Sequence, residues 1–181
     1  YITVILVMTD KWGLGRMEPF WDNEYIGLDY VQEKFNNPDD LKLWKDQGYV
    51  HPDSHYTGAM CDMRSLQPTW NDEIVSWFYK KYNVYDIGTS YYRMGTGVIL
   101  PMHGDIYTRY REIFRCELHN IKRIVVFLED WHSGHYFEIA GNPVTHWKAG
   151  DYVWWFGDVK HMAANIGLED RYTLQITGHL R

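Results

Sequence analysis

The second half of this chain alternates short runs of β-branched and aromatic residues with turn residues, and this pattern constrains the fold more than any other feature. After Asn83 the spacing of apolar residues changes from helical to strand-like. Turn residues such as Gly95, Ser133-Gly134 and Gly141-Asn142-Pro143 separate several of the runs. The runs predict eight strands: Ser90–Arg93, Gly97–His103, Lys122–Leu128, His135–Ile139, Pro143–Trp147, Asp151–Trp155, His161–Asn165 and Arg171–Gly178.

The first half of the chain predicts helices. Residues 38–45 begin with a proline and two acids and end with a lysine, and Gly48 follows shortly after. A second helix, for which Thr69 is a candidate cap, places apolar residues at helical spacing: Trp70, Ile74, Trp77 and Phe78. Eight short strands preceded by helices predict a mainly β fold with flanking α elements, a double-stranded β-helix (jelly roll or cupin-like) braced by N-terminal helices.

The length of 181 residues and the hydrophobic content of 45% fit a single domain with a well-filled core. No internal repeat, low-complexity tract or linker divides the chain. We therefore expect one domain over residues 1–181. A helical and mixed part, residues 1–86, packs on the barrel, and residues 87–181 form the jelly-roll core that carries the functional site.

Charge and composition exclude several classes of function. The formal net charge of -6 makes nucleic acid an unlikely partner. The apolar run Ile2–Met8 is too short to span a bilayer and has neither a preceding basic segment nor a cleavage site, so we expect a buried strand, no membrane association and a cytoplasmic location. Cys61 and Cys116 are too few and too far apart for a disulfide framework or a metal pair.

Aromatic residues make up 17% of the chain, which fits either core packing or a substrate-stacking pocket.

The triplet His103-Gly104-Asp105 follows a predicted strand, where residues i and i+2 project to the same face. With 9 histidines and 24 acidic residues, about one such triplet is expected by chance, and the second one, His51-Pro52-Asp53, is predicted to be a polar loop. His161 lies on a later predicted strand and Arg171 follows ten residues on. Two histidines and one carboxylate on one face of an octahedral ion leave positions open, as non-haem Fe(II) enzymes require.

These residues resemble the motif of the 2-oxoglutarate and Fe(II)-dependent oxygenases, HxD…H followed by RxS or RxT on the last strand. The resemblance covers roughly Tyr91 to Gly178, and within the superfamily it is similar to the prolyl hydroxylase-like and aspartyl/asparaginyl β-hydroxylase-like branches. It implies that His103, Asp105 and His161 are catalytic ligands of Fe(II). It also implies that Arg171 forms a bidentate salt bridge with the distal carboxylate of 2-oxoglutarate, beside the Thr173 hydroxyl.

Three further residues are candidates for contacts with 2-oxoglutarate. Arg123, on a strand predicted to be buried, either meets the keto-acid end of the cosubstrate or the substrate, or is solvated at the mouth of the strand. Tyr107 and Asn165 either donate hydrogen bonds to 2-oxoglutarate or serve as packing and edge residues. The remaining histidines of this half are expected to form a polar rim: His119, His132, His135 and His146.

The resemblance implies a dioxygenase that uses molecular oxygen to hydroxylate an unactivated C–H bond, with release of succinate and CO2. An amino-acid side chain, a peptidyl side chain or another small molecule is the expected substrate. Aromatic residues that could wall the site are Tyr91, Tyr92, Trp154 and Trp155. Two alternatives stay open: a cupin-like metal enzyme that does not use 2-oxoglutarate, although the HxH pair usual there is absent, and a Trp-rich jelly-roll binding or structural module.

Overall fold

The computed structural model describes residues 11–35, 37–49, 57–62 and 67–181. The strand predicted at Ile2–Met8 and the loop His51–Tyr56 lie outside these ranges. The described elements follow the chain in this order: β1 (Trp12–Arg16), β2 (Val31–Gln32), α1 (Pro38–Asp46), β3 (Ala59–Asp62), α2 (Asn71–Tyr82), β4 (Tyr85–Met94), β5 (Ile99–His103), α3 (Thr108–Phe114), β6 (Ile121–Phe127), β7 (His135–Ile139), β8 (Asn142–Val144), β9 (Asp151–Phe156), β10 (His161–Asn165) and β11 (Arg171–His179).

The described strands form two antiparallel sheets. The large sheet has the order β1-β9-β6-β11-β4-β3-β2, and the small sheet has the order β5-β10-β7-β8. Several neighbouring strands are distant in sequence, as in β11, which pairs with β4 on one side and β6 on the other. Mainly antiparallel strands in two sheets with few helices confirm the predicted jelly roll.

The core lies on both faces of the large sheet. Residues that face the small sheet include Val125, Phe127 and Trp155, and they pack with Phe137 and Ile139. Residues of the opposite face pack under α2, among them Ile74, Phe78, Tyr91, Ile124 and Leu174. Strand β6 is therefore apolar on both faces, which explains its nearly continuous hydrophobic run in the sequence.

Helix α1 confirms the helix predicted over residues 38–45. The Asn37 side chain caps it by accepting hydrogen bonds from the backbone N–H groups of Asp39 (3.2 Å) and Asp40 (3.5 Å). Trp44 anchors the helix in the core with 1% of its surface exposed.

Helix α2 is also confirmed, but Thr69 does not cap it. The helix begins at Asn71 and has no side-chain cap. The Thr69 hydroxyl instead donates to Glu24 Oε1 at 2.7 Å, and its backbone N–H donates to Glu24 Oε2 at 2.8 Å. Thr69 thus ties the start of α2 to the preceding chain rather than to the helix itself.

The remaining differences from the sequence prediction lie at edges and on the surface. The strand predicted at Pro143–Trp147 spans only Asn142–Val144, and Trp147 leaves the sheet to stack on Phe127 with ring centroids 4.0 Å apart. Helix α3 was not predicted, because it has no buried residue and therefore no apolar periodicity in its sequence. No helix among the described residues is long and apolar enough to cross a membrane.

Candidate metal centre

Two paired strands bring the predicted metal ligands together. His103 is the last residue of β5 and His161 is the first residue of β10, and the two stand opposite each other in the antiparallel register. Their ring centroids are 4.2 Å apart. Asp105, in the loop after β5, places its Oδ1 3.8 Å from His103 Nε2 and its Oδ2 4.0 Å from His161 Nε2. One potential ligand atom from each residue lies within 4.8 Å of the others, which is the geometry of a three-ligand metal site.

Backbone carbonyls orient both imidazole rings. His103 Nδ1 lies 2.8 Å from the carbonyl oxygen of Pro101, and His161 Nδ1 lies 2.9 Å from that of Val159. Because a carbonyl only accepts, each Nδ1 carries the proton and each Nε2 keeps its lone pair for a metal. Burial lowers the pKa of His103 below its usual value and that of His161 to about 3. Both rings are therefore neutral near neutral pH, which is the state that binds a metal.

Asp105 supplies the negative charge of the site. Burial alone would raise its pKa, but the Arg123 guanidinium and the two imidazoles lower the pKa to about 2. Arg123 Nε lies 3.4 Å from Asp105 Oδ2, and its Nη1 donates to Gln175 Oε1 at 3.3 Å. Of the two positions expected for Arg123, the solvated one is wrong, because only 16% of the side chain is exposed.

Arg171, at the start of β11, is a buried cation without an anionic partner among the described residues. Only 3% of the surface of Arg171 is exposed, and its Nη1 donates to the carbonyl oxygen of Tyr136 at 2.8 Å. Its Nε makes no hydrogen bond within the described chain. Burial lowers the pKa of Arg171 to about 10, and the nearby Tyr92 opposes that shift. Such a guanidinium is poised to bind an anion supplied from outside.

One cavity joins Arg171 to the metal ligands. It has a volume of about 790 Å³ and is lined by His103, Asp105, His161, Arg171 and Thr173 together with other side chains. Thr173, two residues beyond Arg171 on β11, is 1% exposed and lines the same space. Apolar and aromatic side chains complete this part of the wall: Leu100, Val125, Phe137, Trp155 and Ala163. Arg171 therefore lies in the same cavity as the three candidate metal ligands.

The strand register separates the four aromatic wall candidates. Tyr92 and Trp155 line the cavity, and the Trp155 ring centroid lies 4.4 Å from that of His161. The Trp155 Nε1 donor is buried without a hydrogen bond among the described residues. Tyr91 and Trp154 point to the other face of the sheet and pack in the core under α2. Neighbouring residues on a strand face opposite ways, so only one member of each pair can reach the site.

The prediction that Asn165 binds the cosubstrate is not supported by its position. Its amide donates to the carbonyl oxygens of Met94 and Glu169, both at 2.8 Å, and its Oδ1 accepts from the Gly167 N–H at 3.0 Å. Asn165 is fully buried and does not line the cavity. Its side chain instead fixes the turn between β10 and β11, and so the spacing from His161 to Arg171.

Tyr107 and one histidine of the predicted rim lie in different places from each other and from the exposed histidines. Tyr107 lines the cavity, and its ring centroid lies 5.1 Å from the guanidinium carbon of Arg123, so it keeps its place among the candidate binding residues. His135 is 2% exposed and its Nε2 lies 2.9 Å from the carbonyl oxygen of Glu169. The prediction of a rim position is thus wrong for His135, whereas His119, His132 and His146 are exposed.

Asp40 is a residue of the site that the sequence did not reveal. Its carboxylate is 4% exposed, and Oδ2 accepts from the Gly104 N–H at 3.1 Å and from Asn37 Nδ2 at 2.8 Å. Its Oδ1 accepts from Lys160 Nζ at 3.2 Å. Gly104 separates two of the metal ligands and Lys160 precedes the third, so one carboxylate on α1 touches both halves of the site.

Gly104 itself has no room for a side chain. A Cβ there would lie 2.8 Å from the backbone carbonyl oxygen of Asp158. Trp44 Nε1, also on α1, donates to the carbonyl oxygen of Met102 at 3.0 Å. Helix α1 thereby holds the backbone on both sides of His103. No local sequence pattern predicts this role of α1, because an acidic residue such as Asp40 in the first turn of a helix is equally well explained by the helix dipole.

Comparison with known proteins yields structural neighbours only. No family model matches the sequence, and no curated protein matches it. A prolyl-4-hydroxylase from Pseudomonas putida is similar at 17% identity and a TM-score of 0.55, over 87% of this chain and 96% of that chain.

Two other solved structures are similar at lower TM-scores. A predicted oxalate decarboxylase from Thermotoga maritima has 16% identity and a TM-score of 0.41, over 67% of this chain and 80% of that one. An uncharacterized conserved protein with a double-stranded beta-helix domain from Klebsiella pneumoniae has 16% identity and a TM-score of 0.37, over 52% and 68%. At these identities the likeness concerns architecture alone: the chain has a double-stranded β-helix fold with a His-Asp-His cluster that could hold a metal ion.

Proposed function

We propose that this protein is a non-haem Fe(II) and 2-oxoglutarate-dependent dioxygenase. It would hydroxylate an unactivated C–H bond of an amino-acid, peptidyl or small-molecule substrate and release succinate and CO2. The observation that carries the proposal is the buried, unpaired guanidinium of Arg171 in the same cavity as His103, Asp105 and His161. A cytoplasmic location stays a prediction.

The three ligands fit Fe(II). Two neutral imidazoles and one carboxylate bring their ligand atoms within 4.8 Å of one another, and all three residues line the cavity. This donor set leaves coordination positions for a cosubstrate and for oxygen, whereas a structural zinc site closes its fourth position. Trp155 and Phe137 screen His161 with rings whose centroids lie 4.4 and 6.2 Å from its own. Such apolar walls keep a reactive centre away from bulk water.

Arg171 and Thr173 fit the distal carboxylate of 2-oxoglutarate. The free Nε and the second Nη of Arg171 offer a planar pair of donors, and the Thr173 hydroxyl is an additional donor beside them. A carboxylate in that position would neutralise the cation, which no described side chain does. A cupin-like enzyme without 2-oxoglutarate, or a jelly-roll binding module, would need a different anionic ligand to pair with this buried charge.

The residues of the chain perform the positioning in this scheme. When bound, Fe(II) and 2-oxoglutarate supply the oxidising chemistry, in which oxygen and the oxoacid are consumed and one oxygen atom enters the substrate C–H bond. Asp105 stays ionised and the two histidines stay neutral, so the ligand set carries one negative charge. Arg123 holds Asp105 by its charge, and Arg171 fixes the far end of the oxoacid.

Succinate formation tests the proposal. The protein reconstituted with Fe(II) and given 2-oxoglutarate and oxygen is expected to release succinate, measured by proton NMR. Slow turnover of this kind in the absence of substrate is expected to disappear in His161→Ala. Arg93→Gln serves as a matched control, because Arg93 is exposed and lies on β4 away from the cavity. No succinate from the wild type with iron bound would contradict the proposal.

A further inference from the structure

The cavity continues beyond the metal ligands and Arg171, and its outer part has its own lining. The segment between β2 and α1 contributes Glu33, Lys34 and Phe35, and α3 contributes Arg109 and Tyr110. A volume of about 790 Å³ is of the size that holds a drug-sized ligand. A five-carbon diacid anchored at Arg171 therefore leaves space for a substrate in the outer part.

The segment that carries Glu33 is fixed against the site. The Glu33 N–H donates to the carbonyl oxygen of Gly58 at 3.1 Å, and Gln32 Nε2 donates to the carbonyl oxygens of Thr57 (2.6 Å) and Gly58 (3.1 Å). The Phe35 ring meets the ring of His103 edge-on, with centroids 5.1 Å apart. The backbone at Glu33 is thus fixed between Gly58 on one side and, through Phe35, the ring of His103 on the other.

The carboxylate of Glu33 has no close partner among the described residues. It is half-buried, and neither a hydrogen bond nor an ion pair within 4.0 Å reaches it from the described chain. The nearest cation by its electrostatic effect, Arg123, already lies 3.4 Å from Asp105. Lys34 and Arg109 line the cavity as exposed side chains and make no ion pair with it.

Glu33 lines the cavity, and charged residues of the cavity act on its carboxylate. Burial raises the pKa of Glu33, the charge of Arg123 opposes the shift, and Asp105 adds to it. The charge of Glu33 is also felt by Tyr92, whose pKa burial raises above its usual value. Arg123, Asp105 and Tyr92 line the same cavity as Glu33.

A half-buried carboxylate without a counter-ion loses hydration and gains little in return, and a cation brought by a ligand would compensate it. We propose that Glu33 binds a positively charged group of the substrate, an ammonium or guanidinium, so that the substrate is an amine-bearing amino acid or a basic peptide side chain. This inference rests on the proposed function, since it assigns the outer cavity to the substrate of that reaction.

Binding of matched probes tests this substrate class. The protein loaded with Mn(II) and 2-oxoglutarate under anaerobic conditions is titrated calorimetrically with three cationic probes: N-acetyl-lysine amide, N-acetyl-arginine amide and norleucine amide. Neutral N-acetyl-norleucine amide is the reference. At least one cationic probe is expected to bind tenfold more tightly than the reference.

Glu33→Gln, which keeps the size and removes the charge, is expected to erase that preference. Asp72→Asn removes an exposed acid that also lines the cavity and is expected to keep it. Equal binding of all four probes to the wild type, or a preference that survives in Glu33→Gln, would overturn the inference. A 2-oxoglutarate titration of the wild type distinguishes failure of the proposed function from failure of this inference. If the protein does not bind 2-oxoglutarate, the proposed function is wrong. If it binds 2-oxoglutarate but shows no preference that depends on Glu33, only the assignment of Glu33 is wrong.

Discussion

At the scale of single residues, the site depends on groups that are far apart in sequence. Asp40 accepts a hydrogen bond from Gly104, 64 residues away, and from Lys160, 120 residues away. Its carboxylate is buried, so removing it leaves the Gly104 N–H and the Asn37 amide short of an acceptor. Each unsatisfied buried donor costs about 1–3 kcal/mol.

Asp40→Ala is therefore expected to weaken both the fold and metal binding. Loss of an outer contact to a metal site typically lowers metal affinity about 10–100-fold. Mn(II) affinity, measured by competition with a chelating dye, is compared with the free energy of unfolding of the metal-free protein. Asp39→Ala, an exposed acid in the same helical turn, is the control. Mn(II) affinity within twofold of the wild type in Asp40→Ala would show that α1 does not position the ligands.

The buried histidines predict how the stability of the metal-free protein depends on pH. The pKa of His161 is lowered to about 3 in the folded state, whereas an unfolded histidine titrates near 6.5. The unfolded state therefore binds more protons between these values, and stability falls as pH drops from about 6.5 towards 3. One such group contributes a slope of up to about 1.4 kcal/mol per pH unit.

Urea unfolding at several pH values checks this dependence. His161→Asn is expected to flatten the curve between about pH 6 and pH 4, because the variant no longer has that proton to gain on unfolding. Asp105, with its pKa lowered to about 2, adds a further loss of stability only below about pH 4. An unchanged slope in His161→Asn would mean that the imidazole is not buried in its neutral form.

At the scale of elements, the layer between α2 and the large sheet contains an unusual lysine. Lys122 Nζ lies 3.4 Å from the Trp154 ring centroid, 4.1 Å from that of Phe156 and 4.4 Å from that of Tyr82. Burial lowers the pKa of Lys122 to about 7. The three rings compensate part of the cost of burying the charge, but no carboxylate within 4.0 Å does so in the described chain.

Lys122→Met is accordingly expected to raise the free energy of unfolding at pH 7 by about 1 kcal/mol, because an apolar side chain of similar length replaces a poorly solvated amine. Thermal or urea unfolding measures the change, and Lys80→Met on the exposed face of α2 is the control. Destabilisation by Lys122→Met alone would show that the cation–π contacts outweigh the cost of burial.

Elements with a strong internal pattern could be predicted from the sequence. The strands His135–Ile139 and His161–Asn165 have the predicted bounds, β9 and β11 are one residue longer than predicted, and β6 is shifted by one residue. The spacing between His161 and Arg171 led to the expectation that both lie at one site, and both line the same cavity. The short strands β1, β2 and β3 and the exposed helix α3 escaped prediction. Strand β2 and helix α3 have no buried residue, and β1 and β3, with five and four residues, are too short to show a periodic pattern.

The candidate metal ligands could be recognised in the sequence, because His103 and His161 lie at the ends of regular strands and Asp105 follows His103 by two residues. Asp40 and Glu33 could not be predicted from the sequence. Each lies at the site because the N-terminal segment packs against β5 and β10, and no local spacing of residues indicates that packing. Arg123 shows the same limit. The apolar run around it predicted a buried strand, but its partner Asp105 became known only from the structure.

At the scale of the whole molecule, the proposed site exists because two sheets face each other. The small sheet supplies His103 and His161 from β5 and β10, and the large sheet supplies Arg171 and Thr173 from β11. Neither sheet alone holds both a metal cluster and an anion anchor. The packing of Val125 and Trp155 against Phe137 sets the distance between the two halves.

The central claim is that one chamber holds both Fe(II) and 2-oxoglutarate, and anaerobic titration tests it most directly. The metal-free protein is titrated with Fe(II) and then with 2-oxoglutarate, while the weak visible charge-transfer band of the chelated oxoacid is recorded. The account predicts a saturable band in the wild type. Removing one partner of a buried charge pair costs about 2–5 kcal/mol, so Arg171→Gln is expected to need at least about thirtyfold more oxoacid.

Arg93→Gln, with its exposed guanidinium, is expected to titrate like the wild type. Iron binding without any band on addition of 2-oxoglutarate would contradict the account, as would a band that saturates at the same oxoacid concentration in Arg171→Gln.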